Sequence, residues 1–333
     1  MDEFDLIRRY FAPLSAGEVG ALDLRDDAAI LRPDPGTDLV LSADAVVAGI
    51  HFPAETPPDT IARRAMRVNL SDLAAKGARP RGYTLVLQLP EIVDESWLSA
   101  FAGGLAAEQD EFAVTLLGGD TTCTPGPLAI TINMIGQVSK NKMIKRSGAH
   151  EDDDVFVTGC IGDAMLGLAC AMGRLTFDDP ADAAVLESRF YHPDPRMNVG
   201  PALIGLASAS ADVSDGLIAD LGHICVASGF AADIVEELVP LSATARSLTK
   251  DDLSLRTALL TGGDDYEIVF TAPVSARKAV SIVAVETGVP ITRIGRISKR
   301  NREGPAVAVR NAAGDIVEVG HGGYRHFGNG VAG

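Results

Sequence analysis

Seven aspartates interrupt segments of this sequence that are otherwise apolar, and their side chains are its best candidates for chemistry. They occur in five separate segments, as Asp26, Asp27, Asp44, Asp72, Asp120, Asp212 and Asp215. Carboxylates that converge in one cleft repel each other and raise each other's pKa unless cations bind between them. Their repeated placement therefore predicts a site for metal ions.

The other ligand types in the chain decide which ion would fit. Oxygen ligands without Cys or His clusters select hard ions, Mg²⁺ or Mn²⁺ rather than Zn²⁺. The cysteines form no CxxC or Cys/His metal pattern, and we expect all four to be small buried residues: Cys123, Cys160, Cys170 and Cys225. Mg²⁺ is usually held by a few carboxylates together with substrate phosphates, which points to a nucleotide.

Each aspartate also has an ordinary structural interpretation. Asp72 stands four residues before Lys76 in a helical pattern, a spacing that gives a surface ion pair worth only about 0.3–0.5 kcal/mol. The other aspartates could serve as helix caps, strand ends, Asx-turns or local backbone acceptors. The number of such residues, rather than any one of them, favours the metal site.

The composition describes a large globular core with an acidic surface. The 333 residues are 47% hydrophobic, a length and content that predict two domains. The net charge of −16 repels nucleic acid and anionic lipid, so we expect neither as a partner, and an anionic ligand would need divalent cations. An acidic start and no apolar run near the roughly 20 residues of a membrane span predict a cytoplasmic protein.

Strands and helices alternate along the chain, which predicts an α/β or α+β fold. Before the polar stretch 139–154, the pattern predicts strands at 39–47, 83–89, 114–117 and 128–138 and helices at 4–11, 59–76 and 95–112. After it, the pattern predicts strands at 155–158, 267–270 and 291–297 and helical segments from 162 and around 181–190, 197–207 and 217–228. We therefore expect domains at 1–138 and 155–333 joined by a linker at 139–154.

The usual phosphate-binding loops are missing from the sequence. It has no GxxxxGK[ST], no GxGxxG after a strand and no kinase HRD or DFG set, which argues against P-loop and protein-kinase mechanisms. The segment 159–163, with sequence GCIGD, could present backbone N–H groups to phosphate or could be a close helix–strand packing turn. Both interpretations of this segment stay open.

Eight short motifs resemble, in order, those of the thiamine-monophosphate kinase family, within the superfamily of aminoimidazole ribonucleotide synthetase and selenophosphate synthetase. The resemblance spans residues 4–327. The motifs are DDAA (26–29), DAVVAGIHF (44–52), NLSDLAAKGA (69–78), GGDTT (118–122), RSGA (146–149), VSDGL (213–217), GGDDYE (262–267) and GYRHF (323–327).

The resemblance implies an activity and an architecture. ATP and thiamine monophosphate would give ADP and thiamine diphosphate by direct transfer of the γ-phosphoryl group, with several Mg²⁺ ions. The chain would have an N-terminal α/β domain that dimerises through its mixed sheet and a C-terminal α+β sandwich domain that completes the ATP cleft. We accordingly expect a homodimer.

The resemblance also implies site residues, position by position. The implied Mg²⁺ ligands are Asp27, Ser42, the Ala43 main chain, Asp44, Asp72, Asp120, Asp212 and Asp215. The implied ATP contacts are Gly119, Asp120, Arg146 and Ser214, and the implied thiamine monophosphate contacts are His51, Asp264 and the position of His321. Among these, Asp72, Asp120 and Arg146 are expected to carry catalysis. No essential general base is expected, because a phosphate nucleophile is already anionic at neutral pH.

The chain departs from the family pattern at two places. Leu24 and Arg25 stand where the family usually has glycines before the paired acids, and His321 stands where an aromatic residue is common. Two alternatives follow: stacking on the thiamine ring passes to Tyr324, or stacking is weaker in this chain.

Three of the implied contacts and the function have alternatives. His51 could be a packed or capping histidine, Asp264 a turn residue and Arg146 part of a solvated basic run. The function could be that of another ATP-dependent synthetase of the superfamily, or of a nucleotide-binding regulator without catalysis. The complete set of proposed ligands argues against the regulator.

Overall fold

A computed structural model describes residues 3–90, 93–301 and 304–319 and divides the chain into two compact units. The first unit comprises Met1–Leu73 and Ala78–Met143, and the second comprises Ala74–Gly77 and Ile144–Gly333. The chain enters the second unit briefly at Ala74–Gly77, returns to the first unit, and passes finally to the second inside the segment 139–154.

The first unit contains a four-stranded mixed sheet. Its elements are α1 (Glu3–Leu6), a π-helical turn (Ile7–Phe11), 3₁₀ turns (Ala12–Ser15 and Val19–Leu24), β1 (Thr37–Val47), α2 (Pro58–Ala75), β2 (Arg79–Pro90), α3 (Glu95–Phe112), β3 (Thr115–Thr124) and β4 (Ala129–Ser139). The strand order is β1-β4-β2-β3, with β3 parallel to β2 and the other pairs antiparallel.

Strand β1 places two polar side chains on the covered face of the first sheet. Side chains on a strand alternate between its two faces, so Val40, Ser42, Asp44 and Val46 share one face. The two valines are buried, and Leu41 on the opposite face is 71% exposed. Ser42 and Asp44 consequently lie between buried residues on the covered face of the sheet.

Helices α2 and α3 are joined by a buried ion pair. The Glu108 carboxylate is buried and accepts hydrogen bonds from Arg67 Nε (2.7 Å) and Arg67 Nη2 (3.1 Å). A buried charge is tolerated when it is paired and hydrogen-bonded in this way. The bidentate pair fixes the two helices relative to each other.

The second unit contains a six-stranded mixed sheet in the order β10-β7-β9-β5-β8-β6. Its elements are β5 (Asp154–Thr158), α4 (Asp163–Ala171), α5 (Pro180–Tyr191), β6 (Ala209–Asp212), α6 (Leu217–Ser228), β7 (Ala231–Val235), α7 (Ala243–Thr249), α8 (Leu253–Leu259), β8 (Ile268–Ala272), α9 (Arg277–Thr287), β9 (Ile291–Ser298) and β10 (Val307–Arg310), with 3₁₀ turns at Gly200–Leu203, Glu236–Leu238 and Val274–Ala276. Only β10 and β7 pair in parallel among these strands.

Both faces of this second sheet are buried. Val155 and Val157 of β5 pack with Leu221 and Ile224 of α6 in one core cluster. Phe156, between the two valines, belongs to a second cluster with Val280 of α9 and Phe270 of β8, whose ring stacks on it at 5.2 Å. The alternation along β5 places α6 and α9 over opposite faces of the second sheet. The two units together confirm the predicted two-domain α/β and α+β class.

The turn after α2 belongs to the second unit, where side-chain and main-chain hydrogen bonds hold it. Ser210 Oγ donates to the Ala75 carbonyl, and Lys76 Nζ donates to the Ser210 carbonyl at 2.7 Å. The Ile144 N–H donates to the Lys76 carbonyl at 3.2 Å. The two bonds to Ser210 hold the short segment against β6.

Three sequence-based expectations were wrong in detail. The strand predicted at 114–117 continues as β3 through Thr124, and its exposed second half leaves Cys123 exposed rather than buried. The helical segment predicted at 197–207 is reduced to the 3₁₀ turn Gly200–Leu203, because Gly200, Pro201 and a left-handed Gly205 (φ 81°) interrupt it.

Within residues 3–90, 93–301 and 304–319, the chain forms no helix that is both long and apolar enough to cross a membrane.

Candidate active site

Strand β1 and helix α2 bring together three of the predicted metal ligands. Ser42 Oγ donates a hydrogen bond to Asp72 Oδ2. The Asp44 N–H donates to Asn69 Oδ1 at 3.0 Å, and Asn69 Nδ2 donates to the Ala65 carbonyl at 2.9 Å. Asn69 therefore ties the helix to the strand at the point where Ser42, Asp44 and Asp72 lie.

The periodicities of the two elements explain this convergence. Residues three apart on a helix share a face, as Asn69 and Asp72 do, and residues two apart on a strand share a face, as Ser42 and Asp44 do. Ala43, between the two strand residues, has its side chain exposed on the other face. Only its main chain, the part that the resemblance implies, could therefore take part in a site on the covered face.

His51 lies in a turn directly after β1. Its Nδ1 accepts a hydrogen bond from the Val47 N–H at 3.1 Å, and its own N–H donates to the Val47 carbonyl at 2.9 Å. The His51 carbonyl accepts from Arg64 Nε at 3.2 Å. A neutral imidazole that accepts at Nδ1 carries its proton on Nε2, so the turn fixes both the orientation of the ring and its tautomer.

Asp27, Gly119 and Asp120 line one cavity of about 240 Å³ in the first unit. The Asp27 N–H donates to Asp26 Oδ1 at 2.8 Å, so Asp26 supports the segment that carries Asp27. Apolar side chains, among them Leu116, line the rest of the cavity. Two of the predicted ligands and one predicted ATP contact thus border the same space.

The segment before the paired acids adopts an unusual backbone. Leu22, Asp23 and Leu24 have φ angles of 53°, 56° and 53°, in the left-handed region that favours glycine. Of the two residues that stand where glycines were expected, Leu24 adopts this conformation, whereas Arg25 has φ −111° and a right-handed backbone. The cost for an L-residue is about 1–2 kcal/mol each.

A loop between β6 and α6 carries several predicted residues of the second unit. Asp220 Oδ2 accepts hydrogen bonds from the N–H groups of Ser214 and Asp215, both at 3.0 Å. Asp212, at the end of β6, is buried, and Gly216 has φ 120°. A Cβ at Gly216 would lie 2.6 Å from the Thr261 carbonyl oxygen, so the loop requires glycine there.

The electrostatics of Asp220 show which charges surround it. Burial, followed by the charges of Asp212 and Asp215, raises the pKa of Asp220 to about 7, whereas the guanidinium of Arg146 acts to lower it. Arg146, Asp212 and Asp215, which the sequence proposed for nucleotide and metal, are therefore near enough to act on one carboxylate.

The segment containing Asp264 is hydrogen-bonded directly to the Ser214 loop. The Asp264 N–H donates to the Ser214 carbonyl and the Tyr266 N–H donates to the Val213 carbonyl, both at 2.8 Å. Tyr266 Oη donates to Asp264 Oδ1 at 3.2 Å. Main-chain bonds thus place a predicted substrate contact beside a predicted ATP contact.

Buried Asp265 resolves the two interpretations of the segment 159–163. Its carboxylate accepts from the Gly162 N–H at 2.7 Å and the Ala164 N–H at 3.2 Å. A Cβ at Gly159 would overlap the Glu267 side chain. Within the segment, the Gly162 N–H is occupied by this carboxylate, and the Gly159 and Ile161 N–H groups donate to the carbonyls of Pro290 and Pro240, so this segment is a packing turn.

Sequence reasoning missed three residues that shape the site, and two of its candidates cannot be placed. Asn69 was quoted within a motif without a role, and Asp220 and Asp265 were not singled out. The signal for Asn69 was its position one helical turn before Asp72. His321 and Tyr324 lie outside the described residues.

Comparisons with known proteins identify the family of this chain. Residues 25–138 match the family model described as AIR synthase related protein, N-terminal domain, and residues 150–308 match its C-terminal domain. A thiamine-monophosphate kinase of Caulobacter vibrioides is 43% identical over 296 residues, covering 88% of this chain and 83% of the relative.

Two solved structures extend the likeness to the fold. A thiamine-monophosphate kinase from Stenotrophomonas maltophilia superposes with a TM-score of 0.78 and 42% identity, over 86% of this chain and 89% of that one. A structure described as AaThiL complexed with AMPPCP and TMP gives a TM-score of 0.75 and 28% identity, over 98% and 97% of the two chains. The paired acids, the β1–α2 group and the β6–α6 loop thus occur in a chain that belongs to the thiamine-monophosphate kinase family of enzymes.

Proposed function

We propose that this protein transfers the γ-phosphoryl group of ATP to thiamine monophosphate in one in-line step assisted by several Mg²⁺ ions. The observation that carries the proposal is the likeness, over 98% of the chain, to a structure that holds AMPPCP, an ATP analogue, together with TMP. The products are ADP and thiamine diphosphate.

The donor set of the first unit fits Mg²⁺. Ser42, Asp44, Asp72, Asp120 and Asp27 offer only oxygen atoms, the ligands that Mg²⁺ prefers. Ser42 and Asp72 are already in contact, so a shared ion requires little rearrangement of side chains. When bound, the ions would neutralise the negative charge of the two phosphate groups. The main chain of Ala43 and the carboxylates of Asp212 and Asp215 complete the proposed ligand set.

The chain's own groups bind and orient the substrates. Arg146 contributes a guanidinium, which can bind phosphate oxygens through two parallel hydrogen bonds, and Gly119 and Ser214 add nucleotide contacts. His51 presents its Nε2 proton in an orientation fixed by Val47, which suits a contact with the substrate. Asp264, held by Tyr266, can pair with the cationic thiazolium or accept from the aminopyrimidine.

Catalysis depends on position and charge rather than on a proton acceptor. The attacking phosphate oxygen is already anionic, and the transition state spreads charge over the transferred group. Asp72 and Asp120 therefore act by holding the ions, and Arg146 acts by stabilising that charge.

Phosphorus NMR with ATP, Mg²⁺ and thiamine monophosphate tests the reaction, with a control that lacks the thiamine compound. We expect thiamine diphosphate and ADP in equal amounts. ADP without a diphosphate product would favour another synthetase of the superfamily. Nucleotide binding without any ADP would favour the regulator.

Substitutions of the proposed ligands test the metal sites. Asp72→Asn and Asp120→Asn should each lower kcat by about 100-fold or more at limiting Mg²⁺. Asp110→Asn, an exposed acid on α3, is the matched control and should keep wild-type turnover. Near-wild-type turnover of both ligand variants at limiting Mg²⁺ would contradict the proposal.

We further propose that the protein is a cytoplasmic homodimer formed through the first sheet, without nucleic acid or membrane partners. The face of β1 opposite Ser42 and Asp44 exposes Leu39 and Leu41, and burial of such apolar surface favours association. Light scattering coupled to gel filtration should give twice the 34.8 kDa chain mass for the wild type and a monomer for Leu41→Glu. A wild-type monomer would contradict this part.

A further inference from the structure

A second group of potential metal ligands lies in the second unit, around the start of α6. Asp215, Asp220 and His223 can each place one ligand atom within 4.8 Å of the other two. Ions bind their oxygen and nitrogen ligands at about 2.0–2.2 Å, so ligand atoms at this spacing need only small movements to share one ion.

Asp220 supplies an independent reason to expect a ligand. Its residue is 1% exposed, and its Oδ2 is fully used by the two loop N–H groups. Its Oδ1 is buried and has no hydrogen-bond partner within the part of the chain that the structure describes. A buried, unpartnered carboxylate oxygen is costly, so either a cation or a proton must offset that cost.

The net charge around Asp220 suits a divalent cation. Asp212, Asp215 and Asp220 carry three negative charges when ionised, and the guanidinium of Arg146 supplies a positive charge near Asp220. Three negative charges and one positive charge leave two negative charges. One divalent ion would neutralise them without the cost of a buried proton.

The spacing on α6 is one that holds metal ions in other helical proteins. Asp220 and His223 are three residues apart, so both side chains lie on one helix face. A carboxylate followed by a histidine at i+3 binds metal ions in helical carboxylate proteins. Asp220 is buried and His223 is exposed, so the group extends from the interior to the surface of the helix.

We propose that Asp215, Asp220 and His223 bind a divalent first-row transition-metal ion, with Mn²⁺ as the probe, in preference to Mg²⁺. The imidazole nitrogen is the reason for the preference, because Mg²⁺ favours oxygen ligands and dehydrates reluctantly. The inference rests on the proposed function to the extent that Asp215 is already a ligand there, and it adds Asp220 and His223.

Histidine NMR of the full chain without nucleotide tests the site. The protein is labelled at its six histidines, and the His223 signal is assigned by its absence in His223→Gln. We expect Mn²⁺ below one equivalent to broaden His223, and we expect the broadening to persist in a large excess of Mg²⁺. In Asp220→Asn, about ten times more Mn²⁺ should be needed for the same broadening.

His150 is the matched control within the same unit. It is exposed, and its Nδ1 lies 3.7 Å from Asp153, so it is a surface histidine beside one carboxylate. Its signal should stay sharp when that of His223 broadens. Equal broadening of both signals would overturn the proposal, as would loss of the His223 effect in excess Mg²⁺.

A second measurement keeps the test valid if Asp220→Asn fails to fold. Electron paramagnetic resonance counts bound Mn²⁺, and the exposed substitution His223→Gln should remove one ion at Mn²⁺ concentrations that saturate the wild type. An unchanged count would overturn the proposal. Neither readout involves turnover, so failure of this site and failure of phosphoryl transfer are separate results.

Discussion

The two units position their candidate ligands in different ways. In the first unit, Ser42 and Asp72 project from a strand and a helix and bond to each other through their side chains. In the second unit, buried carboxylates hold loops from behind, Asp220 through the Ser214 and Asp215 N–H groups and Asp265 through those of Gly162 and Ala164. Ligands on regular elements are thus positioned by the periodicity of the strand or helix. Ligands on loops are positioned by buried carboxylates that accept from the loop N–H groups.

The largest expected effect tests the close packing of regular strands in the first unit. A Cβ at Gly119 would overlap the Leu85 carbonyl oxygen, so Gly119→Ala must separate β2 from β3 beside the cavity. We expect a loss of about 3–5 kcal/mol in the free energy of unfolding, measured by urea denaturation. Gly118→Ala, where a Cβ meets nothing within 4 Å, should stay within about 0.5 kcal/mol of the wild type. A similar loss in both would refute the close-approach explanation.

The next effect tests the buried acceptors of the second unit. Asp265→Ala leaves the buried Gly162 and Ala164 N–H groups without their acceptor, which should cost about 2–5 kcal/mol. Asp264→Ala, its neighbour, should change the free energy of unfolding far less and should mainly raise the KM for thiamine monophosphate. Equal destabilisation by the two variants would contradict the distinction between a loop support and a substrate contact.

The pH dependence of the free energy of unfolding also tests the buried carboxyl group of Asp265. Burial raises the pKa of Asp265 well above its usual value of 3.8, despite the two N–H donors. The native state therefore binds more protons than the unfolded chain between pH 3.8 and the raised native pKa of Asp265. In that range this group makes the free energy of unfolding fall as pH rises. The slope is at most about 1.4 kcal/mol per pH unit. Urea denaturation of wild type and Asp265→Asn from pH 4.5 upward should show a steeper fall in the wild type, because Asp220, whose pKa burial also raises, contributes to both.

A smaller effect concerns the bond between strand and helix in the first unit. Asn69→Ala removes the acceptor of the Asp44 N–H and should cost about 1–3 kcal/mol. It should also raise the Mg²⁺ concentration needed for half-maximal turnover, because Asp44 and Asp72 lose their fixed spacing. Asn133→Ala on β4, which loses a side-chain bond to Thr84, is the control for stability without the Mg²⁺ effect. Loss of stability with an unchanged Mg²⁺ requirement would show that Asn69 is purely structural.

The smallest effect concerns the left-handed segment before the paired acids. Leu22→Gly relieves a strain of about 1–2 kcal/mol and loses about 0.5–1 kcal/mol of backbone entropy, so thermal denaturation should show a slight stabilisation. Val19→Gly, an exposed substitution in the same 3₁₀ segment without a positive φ, should destabilise slightly. Effects of the same sign would mean that the positive φ does not govern this segment.

Much of the first unit could be predicted from sequence because side-chain periodicity determines it. The alternation in β1 placed Ser42 and Asp44 on one face, and the helical pattern ended α2 close to Gly77. Family membership, predicted from eight ordered motifs, was confirmed by the two matching family models and by a relative that is 43% identical. The predicted metal ligands as a set stay a prediction, although the structure places several of them together.

The supports of the second unit were not predictable for a physical reason. Asp265 bonds to N–H groups 103 and 101 residues earlier in the chain, and main-chain donors leave no side-chain pattern to recognise. The extension of β3 past Leu117 was missed because a Gly-Gly-Asp sequence is typical of a turn, whereas here Gly119 permits a close strand pair.

The main-chain bonds between the Ser214 loop and the Asp264 segment have a consequence for how this protein can evolve. Donors and acceptors in the backbone persist when side chains are replaced, so a change at Ser214 leaves the spacing of the two segments intact, whereas the left-handed φ angles of Asp264 (74°) and Tyr266 (50°) restrict the residues accepted there. A substitution of Asp264 that keeps this backbone would therefore alter the proposed contact with the acceptor molecule without rebuilding the neighbouring loop. A lineage that acquired a new substrate would keep the proposed nucleotide contact of Ser214.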